Sequence, residues 1–343
     1  MDAEQKRDEE SAEVQLEDLS KLTTVPISKI QDAKRRIKGT AVRTPLVALN
    51  ESDTSSRKIY LKLENLQPIG SFKLRGAYNA MQCLPQEQLC REGVYTSSAG
   101  NFAQGLSWSA KEMNVRCSVI VPESAPRTKL DAIQRHGGGQ VNIQQVPYDA
   151  WWQVMCQHSY PGMKGIFVHP VSNVNVIAGN GTIGLEILED LPDVDAVIIP
   201  YGGGGLSSGI ASAIKATKPS VKIYACEVDT AAPLSASLVA GQPSSFAYSP
   251  SFVDGMGSKC ILPEMWTLVS SLIDDSLVVS VPKVAEAVKF LMERNRIIAE
   301  GAGAAPVAAA RAGLAGDGNI VCVVSGGNID NDKLMSILQG QVP

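Results

Sequence analysis

The chain lacks any apolar run of the ~18 residues that a membrane-spanning helix requires. Its seven cysteines include no Cys-X-X-Cys pair and their number is odd, so neither a zinc site nor a disulfide framework has its usual spacing. Positive charge is not in excess either, because 31 basic residues stand against 35 acidic ones. We therefore expect reduced, mostly buried thiols, and neither nucleic acid nor a membrane among the partners.

The 343 residues are long enough to form two domains. Residues 1–22 are polar and acidic, and we expect them to form a disordered tail or one that docks only lightly on the folded part. The first residues do not read as a secretory signal, so we expect a cytoplasmic protein.

Short apolar strands alternate with helix-like segments over the rest of the chain. A first helix is predicted after Val25, with Ser28 as its N-cap and with Ile30, Ala33 and Ile37 on its apolar face. The predicted strands are 94–96, 117–121, 140–143, 196–199, 222–226 and 320–324. This alternation predicts an α/β fold with two domains, each an open, mostly parallel twisted sheet flanked by helices.

Four consecutive glycines, Gly202, Gly203, Gly204 and Gly205, lie between a predicted strand and a helix-like segment that starts at Leu206. A strand, glycine loop and helix in this order direct backbone N–H groups at one point, which suits a phosphate. The run lacks the Lys-Ser/Thr ending of a nucleotide P-loop and the spacing of a dinucleotide site. It therefore predicts another phosphorylated ligand, with a flexible turn as the alternative.

Lys73 lies in the segment SFKLRGA at 71–77, after an aromatic residue and before a helix with small residues. Near a phosphate site its amine has two uses: it can neutralise charge, or it can form a Schiff base with an aldehyde cofactor. Taken alone, a solvated surface lysine is the commoner case.

Four segments together resemble the signatures of the serine/threonine dehydratase and serine racemase family. They are SFKLRGA at 71–77, SAGNFAQG at 98–105, GGGG at 202–205 and SGGN at 325–328. Three of them follow directly on a predicted strand, at the edge where parallel sheets hold ligands. The resemblance covers residues 27–338 and implies pyridoxal 5′-phosphate as cofactor, an amino acid as substrate and fold type II, which is tryptophan synthase β-like.

The resemblance also implies roles for individual residues. Lys73 would bind the cofactor covalently and later take the Cα proton of the substrate. Phe72 would pack near the cofactor ring, Asn101 would hydrogen-bond the ring 3′-oxygen, and Ser325 would face the pyridine nitrogen. The phosphate would be held by Gly202, Gly203, Gly204, Gly205 and Leu206, and the substrate carboxylate by Ser98, Ala99, Gly100, Asn101 and Phe102.

The implied reaction is the loss of water from an L-3-hydroxy amino acid, such as L-threonine or L-serine, to give a 2-oxo acid and ammonia. Racemases of the family carry a serine at the position of Ala99, and alanine cannot transfer a proton, which favours a dehydratase. Racemisation, β-replacement and a non-catalytic binder remain the alternatives. The resemblance further implies a homodimer, with a large domain of residues 23–90 and 172–343 and a small domain of residues 91–171.

Other departures from the family pattern concern the substrate and a metal. Phe102 replaces a common histidine, and Trp151-Trp152 lie where a polar or basic residue is usual. These rings either pack in a core or interface, or enlarge the pocket for a bulkier substrate such as phenylserine; 3-hydroxyaspartate is a further alternative. Some relatives bind a divalent cation near Glu227 and Asp229, but Pro233 replaces a carboxylate here, so we expect solvated acidic groups and leave the cation unsupported.

Overall fold

The computed structural model describes residues 18–51 and 56–343. The strands are β1 (Leu46–Ala48), β2 (Arg57–Leu63), β3 (Val94–Ser97), β4 (Cys117–Pro122), β5 (Asn142–Val146), β6 (Ile166–Phe167), β7 (Ala196–Pro200), β8 (Lys222–Val228), β9 (Asp275–Val279) and β10 (Gly318–Val324). The α-helices are α1 (Ile27–Arg36), α2 (Lys73–Gln82), α3 (Gln86–Glu92), α4 (Asn101–Glu112), α5 (Arg127–His136), α6 (Tyr148–Gln157), α7 (Val174–Asp190), α8 (Gly205–Thr217), α9 (Pro233–Ala240), α10 (Trp266–Leu272), α11 (Val281–Phe290), α12 (Gly301–Arg311) and α13 (Asn331–Leu338).

The described strands form two sheets. One has six strands in the order β1-β2-β10-β7-β8-β9, and the other has four in the order β5-β4-β3-β6. The pair β1–β2 is antiparallel, and every other described pair is parallel. Two mostly parallel sheets flanked by helices confirm the predicted α/β fold class.

Successive residues of the central strands face opposite cores. Ile198 of β7 packs with the core that α11 and α12 cover, whereas Val197 and Ile199 pack with the core beneath α7 and α8. Strand β4 repeats the pattern in the smaller sheet, where Val119 and Ile120 belong to different clusters. Sheets that are covered on both faces require apolar residues at consecutive positions, which is why these strands read as continuous apolar runs.

Six of the described strands were predicted, with ends that differ by up to three residues, whereas β1, β2, β6 and β9 were not. The strand predicted at 140–143 begins two residues later, at Asn142, and extends to Val146. The Ser28 cap is wrong: α1 begins at Ile27 and Pro26 occupies the N-cap position without a side-chain hydrogen bond. Proline suits this position because its fixed φ and missing N–H cost little at a helix start.

The prediction for residues 1–22 needs a correction where the structure describes them. Leu19–Lys21 form a 3-10 turn, capped by the Asp18 side chain, and Leu19 is buried. Leu19 packs with the core beneath α7 and α8, where its apolar side chain is removed from water. The acidic residues 1–17 of the predicted tail lie outside the described residues.

All seven cysteines are free thiols, as expected, but fewer are buried than predicted. Three are buried: Cys117, Cys226 and Cys322. Two are partly buried, Cys83 and Cys260, and two are exposed, Cys90 and Cys156. None of the helices in the described ranges combines the length and the apolar character that crossing a bilayer requires.

Candidate active site

A cavity of about 710 Å³ opens between the two sheets, at the carboxyl ends of β3, β7 and β10. Every residue to which the sequence assigned a role in catalysis or in binding cofactor or substrate lines it: Phe72, Lys73, Ser98, Ala99, Gly100, Asn101, Phe102, Gly202, Gly203, Gly204, Gly205, Leu206 and Ser325. The four motifs therefore meet in one place, while the individual roles remain predictions.

Lys73 is the first residue of α2, and its side chain lies against the cavity. Its Nζ donates a hydrogen bond to the Pro170 carbonyl oxygen at 3.1 Å and lies 5.0 and 5.5 Å from the ring centroids of Phe72 and Phe102. Burial lowers the pKa of Lys73 to about 8, although the negative charge of Glu300 acts in the opposite direction. A substantial fraction of this amine is therefore neutral near neutral pH, as a nucleophile or base must be.

A buried ion network fixes α2 just beyond Lys73. Arg75, which is 1% exposed, donates from Nε to Glu64 at 2.8 Å and from Nη1 to Glu186 at 2.7 Å. Burial alone would raise the pKa of Glu64, but the charge and hydrogen bonds of Arg75 hold it below its ordinary value. Lys62 of β2 also contacts Glu186, at 2.7 Å. The network ties α2 to β2 and α7, so the start of α2 has little freedom to move.

The glycine loop connects β7 to α8 in a space that admits no side chains. A Cβ atom at Gly203 would lie 2.6 Å from the Val171 side chain, and one at Gly205 would lie 3.0 Å from the Val171 carbonyl oxygen. Gly204 has a φ of 93°, which disfavours other residues. No hydrogen bond between described residues uses the backbone N–H groups of residues 202–207. A loop of free donors at a helix N-terminus fits a phosphate group.

The loop after β3 has fewer free donors than predicted for the substrate carboxylate. The Ser98 N–H donates to the Ile120 carbonyl at 3.1 Å as part of the sheet, and the Gly100 N–H donates to the Ser98 hydroxyl at 3.3 Å. Within the described part of the chain, the N–H groups of Ala99, Asn101 and Phe102 remain without an acceptor. The N–H groups available to a carboxylate are therefore those of Ala99, Asn101 and Phe102, and the last two lie at the start of α4.

Glu300 is a cavity residue that the sequence motifs do not include. Its two carboxylate oxygens accept hydrogen bonds from Asn101 Nδ2 at 2.9 and 3.1 Å, and Asn328 Nδ2 in turn donates to Asn101 Oδ1 at 2.8 Å. Burial raises the pKa of Glu300 to about 7, although the hydrogen bond from Asn101 lowers it in part. In the sequence, the sign that could have identified Glu300 was a single carboxylate among small apolar residues; in the structure it occupies the N-cap position of α12.

Ser325 lies directly after β10 and is 2% exposed. Its carbonyl accepts the Phe72 N–H at 3.0 Å, which joins two of the four motifs. Its hydroxyl lines the cavity, and no hydrogen bond between described residues uses it. Because buried hydroxyl groups normally have partners, this one fits a ligand atom such as a ring nitrogen.

The acidic strand end at Glu227 is not solvated as predicted. The Glu227 carboxylate accepts the N–H groups of Leu234 and Ser235, both at 2.8 Å, and the Ser276 hydroxyl at 2.7 Å. It thus holds the start of α9, where Pro233 is the first residue. Over the described ranges, no group of three or more His, Cys, Asp or Glu side chains could hold a metal ion.

The fold and the cavity define an α/β enzyme with a cleft for a phosphorylated ligand and an amine of lowered pKa beside it. Residues 37–326 match the model of the family described as pyridoxal-phosphate dependent enzyme. The chain belongs to this family, and pyridoxal 5′-phosphate is its cofactor, which confirms the resemblance found in the sequence.

Individual relatives cover most of the chain. The L-threonine ammonia-lyase of Thermotoga maritima is 38% identical over 316 residues, which are 92% of this chain and 78% of that protein. The catabolic L-threonine dehydratase TdcB of Staphylococcus aureus is 36% identical over 323 residues, 92% of each chain. The structure of maize serine racemase is similar with a TM-score of 0.84 at 30% identity, covering 93% of this chain and 98% of that one.

Proposed function

We propose that the protein is an ammonia-lyase that removes water from L-threonine or L-serine. The enamine that remains after the loss of water would take up a water molecule on hydrolysis, so the products would be ammonia with 2-oxobutanoate or with pyruvate. The observation that carries the proposal is the Lys73 amine of lowered pKa in the cavity. Ala99 favours elimination over racemisation, because it has only a methyl group where a racemase needs a second acid–base residue. The names of the threonine ammonia-lyase and dehydratase relatives support the same reaction.

The residues of the chain divide the work of the elimination. Bound pyridoxal phosphate supplies the electron sink that makes the substrate Cα–H acidic. The neutral Lys73 amine accepts that proton, and its pKa of about 8 lets it give the proton up again near neutral pH to the β-hydroxyl group, which then leaves as water. The N–H groups of Ala99, Asn101 and Phe102 hold the substrate carboxylate, and this fixes the Cα–H bond relative to Lys73.

The cofactor would be held at its two ends by groups that the protein itself leaves unpaired. The N–H groups of residues 202–207 would bind the phosphate, and the Ser325 hydroxyl would make a neutral hydrogen bond with the pyridine nitrogen. Asn101 and Phe72 would contact the ring. A neutral partner at the nitrogen gives a weaker electron sink than an aspartate would, which favours rapid elimination.

The test is to incubate the purified protein with L-threonine and to measure 2-oxobutanoate and ammonia in equal amounts. Lys73→Ala should abolish turnover, whereas Lys58→Ala, which removes an exposed lysine outside the cavity, should not. The racemase alternative is tested because the structure is similar to maize serine racemase. After incubation with L-serine, chiral chromatography measures how much D-serine has formed. Formation of D-serine faster than pyruvate would overturn the proposal.

We also propose the organisation predicted from the sequence. Residues 23–90 and 172–343 would form the large cofactor-binding domain and residues 91–171 the small one, in a cytoplasmic homodimer. The four strands of the smaller sheet all lie between residues 94 and 167, which supports the boundary. Light scattering during size-exclusion chromatography would measure the oligomer, and limited proteolysis would test the domain boundaries.

A further inference from the structure

Aromatic side chains line the cavity on both of its sides. Tyr148, Trp151 and Trp152 of α6 and the buried Phe102 of α4 lie on the side of the smaller sheet, whereas Tyr248, in the segment after α9, packs against the core of the larger sheet. We propose that these rings form a binding subsite for an aryl group, so that the preferred substrate is an L-3-hydroxy amino acid with an aromatic β-substituent. This inference rests on the proposed elimination reaction and names its substrate class.

Helix α6 is fixed to both parts of the site that would hold the substrate. The Ser97 hydroxyl donates to the Trp151 carbonyl at 3.3 Å, and the next residue, Ser98, begins the loop with the carboxylate-binding N–H groups. On the other side, His169 Nε2 lies 3.2 Å from the Met155 carbonyl, and the following residue supplies the carbonyl that accepts the Lys73 hydrogen bond. Helix α6 therefore lies beside the segments that carry the proposed carboxylate-binding N–H groups and the carbonyl partner of Lys73, and its rings line the same cavity.

The rings of α6 form a continuous surface. The ring centroids of Tyr148 and Trp151 are 5.5 Å apart, and those of Trp151 and Trp152 are 6.2 Å apart, with tilted planes. These are distances at which aromatic side chains attract each other, so the surface exists before any ligand binds. A further aryl group could join the same arrangement at little cost in side-chain ordering.

Packing distinguishes a subsite from an ordinary aromatic core. Trp151 is partly buried against the small cluster around Tyr95 and Ile120, but no core cluster of described residues includes Trp152. Tyr148 is 52% exposed. Large aromatic residues are normally well buried, so rings that line a cavity and remain partly exposed have apolar area left for a ligand.

The charges of the cavity disfavour an acidic β-substituent. Lys129 already pairs with Asp254 at 2.7 Å, and Lys73 is needed for the reaction. Arg135 is exposed, and the cavity carboxylates Asp254 and Asp330 pair with Lys129 and Lys333. The Glu300 carboxylate also lines the cavity, so a second carboxylate on the substrate would meet its negative charge, whereas an aryl group would not. Between the two bulky substrates considered above, the aryl compound fits better.

The test compares kcat/KM of the holoenzyme for L-threo-phenylserine, L-threonine and L-threo-3-hydroxyaspartate. We expect phenylserine to be the best of the three. Trp152→Leu should reduce the ratio of kcat/KM for phenylserine over threonine by about tenfold, the upper end of what one aromatic contact contributes, while Trp152→Phe should keep most of it. Trp266→Phe changes a tryptophan outside the cavity and is the matched control.

Each outcome decides one of the two proposals. Threonine turnover that equals or exceeds phenylserine turnover in the wild type, or a ratio unchanged in Trp152→Leu, would overturn the aryl subsite alone. Absence of 2-oxo acid from every substrate would overturn the elimination reaction. If Trp152→Leu does not fold, binding of L-phenylalanine and L-alanine to the wild type decides, because neither has a β-hydroxyl to lose. The subsite requires tighter binding of L-phenylalanine, and equal or weaker binding would refute it.

Discussion

Replacing Glu300 by glutamine should lower the pH at which the Lys73 amine becomes reactive. Burial favours the neutral amine, and the negative charge of Glu300 favours the ammonium form. Glu300 itself has a pKa of about 7, so its charge is largely present at the pH where Lys73 titrates. Glu300→Gln removes that charge while keeping an oxygen for Asn101. The sign of the effect is therefore fixed: the pKa of Lys73 must fall.

The lowered pKa has a large effect on the amount of nucleophile. With a pKa of about 8, about a quarter of Lys73 side chains are neutral at pH ~7.5, whereas with the ordinary value of 10.5 about one in a thousand would be. The reactive fraction thus differs by more than about two hundredfold. In Glu300→Gln the neutral fraction at the same pH should rise above a quarter.

The assay is the rate of cofactor binding to protein stripped of pyridoxal phosphate, followed by visible absorption from about pH 6 to about pH 10. Dividing by the rate constant for the neutral amine of Nα-acetyl-lysine, obtained by correcting its rate for an ordinary lysine pKa of about 10.4, removes the pH dependence of the aldehyde itself. The wild-type midpoint should lie near 8 and that of Glu300→Gln lower. Asp330→Asn removes a carboxylate elsewhere in the cavity and should leave the midpoint at its wild-type pH. A wild-type midpoint near 10.5 would show that the pKa of Lys73 is not lowered. An upward shift in Glu300→Gln would show that the charge of Glu300 does not favour the ammonium form of Lys73.

Three further substitutions test other parts of the site. Gly203→Ala places a Cβ 2.6 Å from the Val171 side chain, so it should weaken cofactor binding and lower the free energy of unfolding by ~1–3 kcal/mol. Cofactor titration and urea denaturation measure the two effects. A second substitution, Val171→Ala, should restore both cofactor binding and stability. Arg75→Met leaves Glu64 buried without its partner and should cost ~3–5 kcal/mol in urea denaturation, and a loss below ~1 kcal/mol would contradict the network's role. Ala99→Ser should increase D-serine formation from L-serine relative to pyruvate, and chiral chromatography showing no increase would argue against the role given to Ala99.

The family resemblance supplied the site residues, and a general property of parallel sheets predicted that three of the four motifs would meet. The motifs at residues 98–105, 202–205 and 325–328 each follow a strand, and carboxyl ends of parallel strands share one edge. The alternation of apolar strands and helices was also enough to predict the fold class. The order of strands was not predictable, because nothing local to β10 indicates that it pairs with both β2 and β7.

The parts that sequence reasoning missed depend on contacts between residues that are not neighbours in the sequence. Glu300 becomes a cavity residue through its hydrogen bonds with Asn101, 199 positions away. Leu19 is buried only because a core surface far along the chain accepts it. Glu227 looked like a solvated carboxylate, but the helix that begins at Pro233 turns back towards it and supplies two N–H groups. None of these partners is adjacent in the sequence, so local composition carries no sign of them.

Borohydride reduction of the holoenzyme, followed by peptide mapping, would show which residue binds the cofactor. Reduction makes the link between the cofactor and its amine permanent, so the modified residue can be identified by mass spectrometry. We expect one pyridoxyl group per chain, on Lys73. Modification of a different lysine, or of none, would contradict this expectation.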